Sequence, residues 1–162
     1  MTAEPQVGDI GCTIIKGDVG FLIRVGQACL GLGFRNIEHC FVYVGDGRIV
    51  EAEPGGAREA DLDEYDARTI VWVHCPDANR QAVAAAAKEL IGTPYSSADY
   101  FAIAAHRFHI PGFKRVAERT TSMICSTLAT VAARRGGWPL LVPTLAGYVV
   151  PDMVAALAEP PA

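Results

Sequence analysis

Hydrophobic residues recur along the chain with strand-like spacing in some segments and helical spacing in others. Runs of strand-forming residues predict strands over residues 10–15, 39–44, 48–52 and 69–74. Helical spacing behind Asp or Ser residues that can cap a first turn predicts helices over residues 18–30, 78–90, 96–108 and 122–135, with a short last helix from Pro151. The polar segment after Pro54-Gly55-Gly56 is expected to be a loop. We expect one domain over residues 1–162, with a loose tail from about residue 158.

The strands over residues 39–44 and 48–52 form a predicted hairpin whose register decides whether a site exists there. A two-residue Asp46-Gly47 turn would direct Glu51 and Glu53 away from His39. A three-residue loop would place His39 opposite Glu53 and diagonal to Glu51, on the face of both. The sequence permits either register, so a functional site requires the three-residue loop or a bulge. Otherwise the two carboxylates are ordinary edge residues.

Cys125 is the candidate nucleophile because it lies near the predicted start of a helix. The helix dipole favours negative charge there, and a nearby imidazolium lowers a thiol pKa further, so a thiolate is favoured. Backbone N–H groups at a helix N-terminus can also stabilise an oxyanion. The competing interpretation is a small buried structural cysteine. With His39 and a carboxylate, Cys125 would complete a cysteine-nucleophile site.

Composition and charge narrow the range of partners. The chain is 51% hydrophobic with a formal net charge of −4, which argues against nucleic acid as a partner. No apolar run is long enough to predict a transmembrane segment, and the N-terminus lacks a secretory signal. We therefore expect a cytoplasmic protein, or one that is phage-borne or released without a signal peptide.

A basic and aromatic segment over residues 107–115 is either a solvated helix connection or a loop that attracts an anionic substrate.

Five cysteines without clustered spacing predict reduced thiols, not a disulfide scaffold. A zinc site formed by His39-Cys40 and His74-Cys75 is disfavoured, because adjacent residues of a strand point to opposite faces. His106 and His109 have helical spacing, yet nothing nearby in the sequence completes a metal site. We expect no metal and no cofactor.

Several motifs, in this order, resemble those of the NlpC-type, papain-like cysteine peptidases, in the circularly permuted branch that includes YiiX-like and lecithin:retinol acyltransferase-like proteins. The matching motifs span residues 8–128, most of the chain, and are Gly8-Asp9-Ile10, His39 opening the run Phe41-Val42-Tyr43-Val44-Gly45-Asp46-Gly47, Glu51-Ala52, Gly92-Thr93-Pro94-Tyr95-Ser96 and Cys125-Ser126-Thr127-Leu128. The chain departs from the family's pattern at Cys40, where a small or apolar residue is usual, and at Thr127, where an acidic residue is common.

The resemblance implies an α+β, permuted papain-like fold, with a small antiparallel sheet packed with helices. It also implies roles for three residues: Cys125 as nucleophile, His39 as general base and Glu51 as the residue that orients His39. Glu53 is the geometric alternative to Glu51. The implied activity is thiol hydrolysis of an amide bond, with a peptidoglycan stem peptide as the first candidate substrate. An acyl-lipid substrate and a non-catalytic binding module of the same fold are the alternatives, and the oligomeric state stays open.

Overall fold

The computed structural model describes residues 4–14, 37–65, 70–95, 123–144, 146 and 149–158. The helices predicted over residues 18–30 and 96–108, and the basic segment over residues 107–115, lie outside the described residues. Within the described residues, no helix is both long enough and apolar enough to cross a lipid bilayer.

Five antiparallel strands form one open sheet in the order β4-β3-β2-β1-β5. Their bounds are β1 Ile10–Thr13, β2 His39–Gly45, β3 Arg48–Glu53, β4 Gly56–Asp61 and β5 Val71–Val73. Together with the helices this is an α+β arrangement. The prediction of a polar loop after Pro54-Gly55-Gly56 is wrong over β4. That strand lies at the edge of the sheet and has no β-branched residues. Its composition is therefore typical of a loop.

A β-bulge sets the register of the hairpin formed by β2 and β3. Asp46 and Gly47 both have positive φ, at 51° and 69°, and form a two-residue turn between Gly45 and Arg48. The register then shifts between Tyr43 and Gly45, so that Phe41 pairs with Glu51. One extra residue in one strand exchanges the faces of everything beyond it. The bulge thus produces the alignment that the sequence allowed only for a three-residue loop or a bulge.

The alternating residues of β2 enter two different apolar clusters. Cys40 and Val42 belong to the main core, which the sheet shares with the helices. Phe41 lies on the opposite face, where it packs with Ile49, Ala60 and Tyr65 in a smaller cluster. His39 shares this second face, since its ring contacts those of Phe41 and Tyr65. Both faces of the central strand are buried, and His39 belongs to the face with the smaller cluster.

Three helices are described: α1 Arg80–Glu89, α2 Cys125–Arg135 and α3 Pro151–Ala155. Helix α2 packs on α1 and on strands β2 and β3. The expectation of an Asp cap for the helix predicted over residues 78–90 is wrong, because no side chain caps α1. Asp77, the residue before that predicted helix, instead begins a short 3-10 turn and accepts a hydrogen bond from Arg80 Nε at 2.8 Å. The predicted start of α2 at residue 122 is also wrong, because Met123 forms a β-bridge with Tyr95 and the helix begins at Cys125.

Candidate active site

Cys125 is the first residue of α2, and the chain that precedes it is anchored to the rest of the fold. The Met123 N–H donates to the Pro94 carbonyl at 2.9 Å, in the segment that also forms the β-bridge. One residue earlier, the Thr93 carbonyl accepts from the Ala57 N–H of β4 at 2.8 Å. The segment over residues 92–95 therefore connects the edge of the sheet to the start of α2. Cys125 itself is 1% exposed.

His39 is the first residue of β2, and it lies beside Thr13 of β1 in the sheet. Its imidazole is 3% exposed and forms a side-chain hydrogen bond with Cys125. The Nε2 atom lies 2.7 Å from Oε2 of Glu51. Because Nε2 is engaged by Glu51, Nδ1 is the nitrogen left to face the thiol. The ring thus joins the thiol to the carboxylate.

Glu51 is fully buried and lies in β3, opposite Phe41. Phe41 lies two positions after His39, so Glu51 is the diagonal neighbour of His39 on the same face of the sheet. Its Oε2 atom also accepts a hydrogen bond from the Tyr65 hydroxyl at 2.5 Å. The structure therefore brings together His39, Glu51 and Cys125.

Arg58 of β4 places a positive charge on the other side of the Glu51 carboxylate. Its Nη2 atom lies 2.6 Å from Oε1 of Glu51 and 3.3 Å from a carboxylate oxygen of Glu53. The contact with Glu51 is an ion pair without hydrogen-bond alignment. Nη2 also donates to Glu64 at 2.8 Å. Glu53, the geometric alternative for orienting His39, is instead half-exposed and engages Arg58.

The surroundings favour the charged forms of both His39 and Glu51. Burial by itself would lower the pKa of His39. The charge and hydrogen bond of Cys125, followed by those of Glu51, outweigh burial and raise the pKa of His39 to about 10. Burial would likewise raise the pKa of Glu51, but His39, Tyr65 and Arg58 together lower it. The arrangement is therefore an imidazolium between the Cys125 sulfur and a carboxylate.

A cation is the other ligand that these side chains could hold. Among the described residues, one atom each of His39, Glu51 and Glu53 lies within 4.8 Å of the others. The Arg58 guanidinium already lies against both carboxylates and places a positive charge where a cation would bind. We therefore assign no metal to this cluster and interpret it as an ion-pair network.

The other described cysteines have different surroundings. Cys12 and Cys40 face each other across β1 and β2 with their sulfur atoms 3.5 Å apart. Burial raises the pKa of the Cys40 thiol well above its ordinary value, and burial also raises the pKa of Cys75 to about 11. Both thiols are therefore held in the protonated form. Cys29 lies outside the described residues.

Two residues of the site, Arg58 and Tyr65, were not expected from the sequence. Both come from the segment interpreted as a polar loop, which contains β4 and a 3-10 turn over Leu62–Tyr65. No spacing rule connects Tyr65 with Glu51, because they meet only through the fold. The one available signal was a tyrosine in an otherwise polar segment, since a tyrosine that becomes buried usually gives its hydroxyl a partner.

A scan against protein-family models finds no match for this chain, and no curated protein matches it. The motif resemblance therefore stays a prediction. The candidate site is defined here by its geometry and its charges.

Proposed function

We propose that the protein is a cysteine hydrolase that cleaves an amide bond through Cys125, His39 and Glu51. The observation that supports this most strongly is the position of the His39 ring, which is hydrogen-bonded to the thiol on one side and to a buried carboxylate on the other. Burying three ionisable groups in contact costs solvation energy, and a packed apolar cluster would fill the space without that cost. Perturbed groups of this kind are typical of catalytic sites.

In the proposed acylation step, the Cys125 thiolate attacks the carbonyl carbon of the scissile amide. The carbonyl oxygen gains the negative charge, and backbone N–H groups at the start of α2 stabilise it. His39, as imidazolium, donates its proton to the amine nitrogen as the carbon–nitrogen bond breaks. The products are a thioester on Cys125 and a free amine, with His39 left neutral.

In the proposed deacylation step, neutral His39 removes a proton from a water molecule, which attacks the thioester carbon. The carbon–sulfur bond breaks, and the acid and the Cys125 thiolate are released, with His39 protonated again. Glu51 stays ionised through the cycle and stabilises the imidazolium.

We further propose that the fold is the permuted papain-like arrangement. Two features support it: the antiparallel sheet packs against a helix that begins at the nucleophile, and the chain order is histidine, carboxylate, cysteine. The motif around Pro94 agrees as well, because its backbone pairs with the residue two positions before Cys125. The resemblance favours a bacterial cell-wall peptide as substrate.

The first experiment tests the nucleophile. Iodoacetamide at neutral pH should label Cys125 before the other thiols, as located by peptide mass spectrometry. Cys125→Ser should remove this labelling, while Cys75→Ser, at another buried cysteine, should keep it. Equal labelling of several thiols would contradict an activated Cys125.

The second experiment tests the reaction. Wild-type protein is mixed with cell-wall stem peptides, and separately with acyl glycerophospholipids, and its intact mass is measured after rapid acid quenching. A mass increase equal to the acyl part of a stem peptide, absent from Cys125→Ser, supports the proposal. An adduct formed only with lipids would assign an acyl-lipid substrate. No adduct and no turnover with either class, in a protein that binds the peptides, would indicate a binding module.

A further inference from the structure

The Glu51 carboxylate has more partners than an orienting residue needs. It is fully buried, and burial alone favours the neutral, protonated form of a carboxyl group. A protonated Glu51 would be a poor partner for an imidazolium, because the attraction depends on its negative charge. Two partners besides His39 reach the carboxylate: the Tyr65 hydroxyl donates to Oε2, and the Arg58 guanidinium forms an ion pair beside Oε1.

We propose that Tyr65 and Arg58 are positioning residues that hold Glu51 ionised and direct its Oε2 atom at His39. This inference rests on the proposed function, because the position matters only if His39 transfers protons. Neither residue attacks the substrate or transfers a proton in the mechanism above. Arg58 acts through Glu51, and Tyr65 acts through Glu51 and the ring of His39.

Tyr65 contacts two members of the site at once. Its hydroxyl donates to Glu51 while its ring stacks on that of His39, with centroids 5.8 Å apart and planes 18° apart. The same ring packs against Phe41 at 5.0 Å. Tyr65 therefore limits rotation of the imidazole and translation of the carboxylate, which are the two movements that would break the 2.7 Å contact.

Arg58 supplies charge, and its own position is fixed from outside the site. Glu64, in the same 3-10 turn as Tyr65, accepts both guanidinium hydrogen bonds, at 2.8 and 3.4 Å. Glu53 lies 3.3 Å from the same Nη2 atom. Arg58 is 42% exposed while Glu51 is fully buried, so the guanidinium closes the solvent side of the carboxylate.

The charged groups around the carboxylate, among the residues that the structure describes, agree with this assignment. His39 from β2, Arg58 from β4 and Tyr65 from the 3-10 turn contact Glu51 directly. Glu64 and Glu53 pair with Arg58, and Cys125 is hydrogen-bonded to His39. Each of the three direct partners is a donor or a cation and favours the ionised carboxylate.

The test uses two variants, Tyr65→Phe and Arg58→Gln, each with a matched control from the same sheet. Tyr43→Phe removes a tyrosine hydroxyl that instead accepts from the Gly47 N–H at 3.2 Å. Arg48→Gln removes an arginine that also pairs with two carboxylates, Glu59 and Asp61.

The readout is the pH titration of the Glu51 carboxyl group, monitored by NMR on protein labelled with ¹³C at the glutamate carboxyl carbon. The Glu51 signal is assigned by its absence from Glu51→Gln. Removing the hydrogen bond of Tyr65 or the ion pair of Arg58 should move the Glu51 titration upward by about one pH unit. Both controls should titrate as the wild type. Arg58→Lys retains the charge and should move the Glu51 titration less than Arg58→Gln.

The activity readout separates a positioning role from a structural one. In both variants kcat should fall roughly tenfold with KM unchanged. The pH below which kcat declines should rise together with the pH at which Glu51 titrates. A role in folding alone would lower the melting temperature and leave the Glu51 titration of the folded protein in place. Arg58 is half-exposed, so Arg58→Gln keeps the test decisive if Tyr65→Phe does not fold.

An unchanged Glu51 titration in both variants would overturn the inference, whatever the activity. A shifted Glu51 titration in a protein that turns over no substrate would overturn the proposed reaction. It would leave in place only the finding that Tyr65 and Arg58 hold the Glu51 carboxylate ionised. The two failures are therefore distinguishable.

Discussion

Replacing Glu51 by Gln tests which carboxylate supports His39, because Gln has the same shape without the charge. The pKa of His39 rises from 6.5 to about 10, a difference that corresponds to roughly 5 kcal/mol in favour of the imidazolium. Cys125 and Glu51 share this effect against the opposing effect of burial. A charge-assisted hydrogen bond contributes about 1.5–3 kcal/mol, so loss of the Glu51 carboxylate should lower the pKa of His39 by about 1–2 pH units.

The consequence for the reaction follows from the protonation state that it needs. Acylation requires imidazolium, so kcat/KM should stay high up to the pKa of His39 and fall above it. The high-pH limb should therefore lie near pH 10 in the wild type, and about 1–2 units lower in Glu51→Gln. The plateau of kcat/KM should fall about 10- to 150-fold, the kinetic equivalent of the same 1.5–3 kcal/mol.

The protonation of His39 also makes the free energy of unfolding depend on pH. The folded state holds the proton of His39 more tightly than the unfolded state. Its contribution to stability is therefore fully present below pH 6.5 and is lost as pH rises towards about 10. In Glu51→Gln, this loss should still begin near pH 6.5, which the unfolded state sets, but it should end at a lower pH and be smaller in total. Urea denaturation between pH 6 and 10 measures it.

The assay is kcat/KM against pH, with the peptide that forms the adduct described above as substrate. Glu53→Gln is the matched control, since it makes the same change on the same strand at a half-exposed carboxylate 3.3 Å from Arg58. It should change kcat/KM by less than about threefold, which is the size of effect expected for a solvent-exposed ion pair. A larger effect in Glu53→Gln than in Glu51→Gln, or a high-pH limb that does not move in Glu51→Gln, would refute this reasoning.

Two further predictions concern stability and are measured by urea denaturation. Gly136→Ala should lower the free energy of unfolding by about 3 kcal/mol, because its Cβ would lie 2.5 Å from the Val83 backbone nitrogen, whereas Gly55→Ala, with no neighbour within 4 Å, should be close to neutral. Asp9→Ala should cost about 3–5 kcal/mol, because the buried Asp9 carboxylate accepts from His74, an arginine and two backbone N–H groups. The pKa of Asp9 is lowered by these bonds against the opposing effect of burial, so its contribution is present above pH 4 and lost as pH falls below it. Equal losses in Asp9→Ala and in Asp77→Asn, at an exposed carboxylate, would contradict the importance of the buried one.

The strands nearest the site were predictable because their residues satisfy local rules. A run of aromatic and β-branched residues over β2 requires no tertiary contact to be recognised. The turn at Asp46-Gly47 is equally local, because both residues must adopt positive φ. Strand β4 was not predicted because its residues do not satisfy these local rules. Its Ala, Arg and Glu residues have little strand preference, and only pairing with β3 makes that segment a strand.

By itself, the sequence determined the three chemical groups and their local settings: a histidine at a strand entrance, a thiol near a helix start and two carboxylates on a return strand. It left open whether Glu51 and Glu53 lie on the face of His39, because one extra residue in the hairpin exchanges the two faces of β3. Only the tertiary structure decided this, because the bulge between Tyr43 and Gly45 puts both carboxylates on that face. It also chose between them, since Glu51 lies 2.7 Å from His39 while Glu53 engages Arg58. The pairing of Tyr65 and Arg58 with the carboxylate was also decided there, since contacts between distant residues depend on how the strands and the 3-10 turn pack and not on any local pattern.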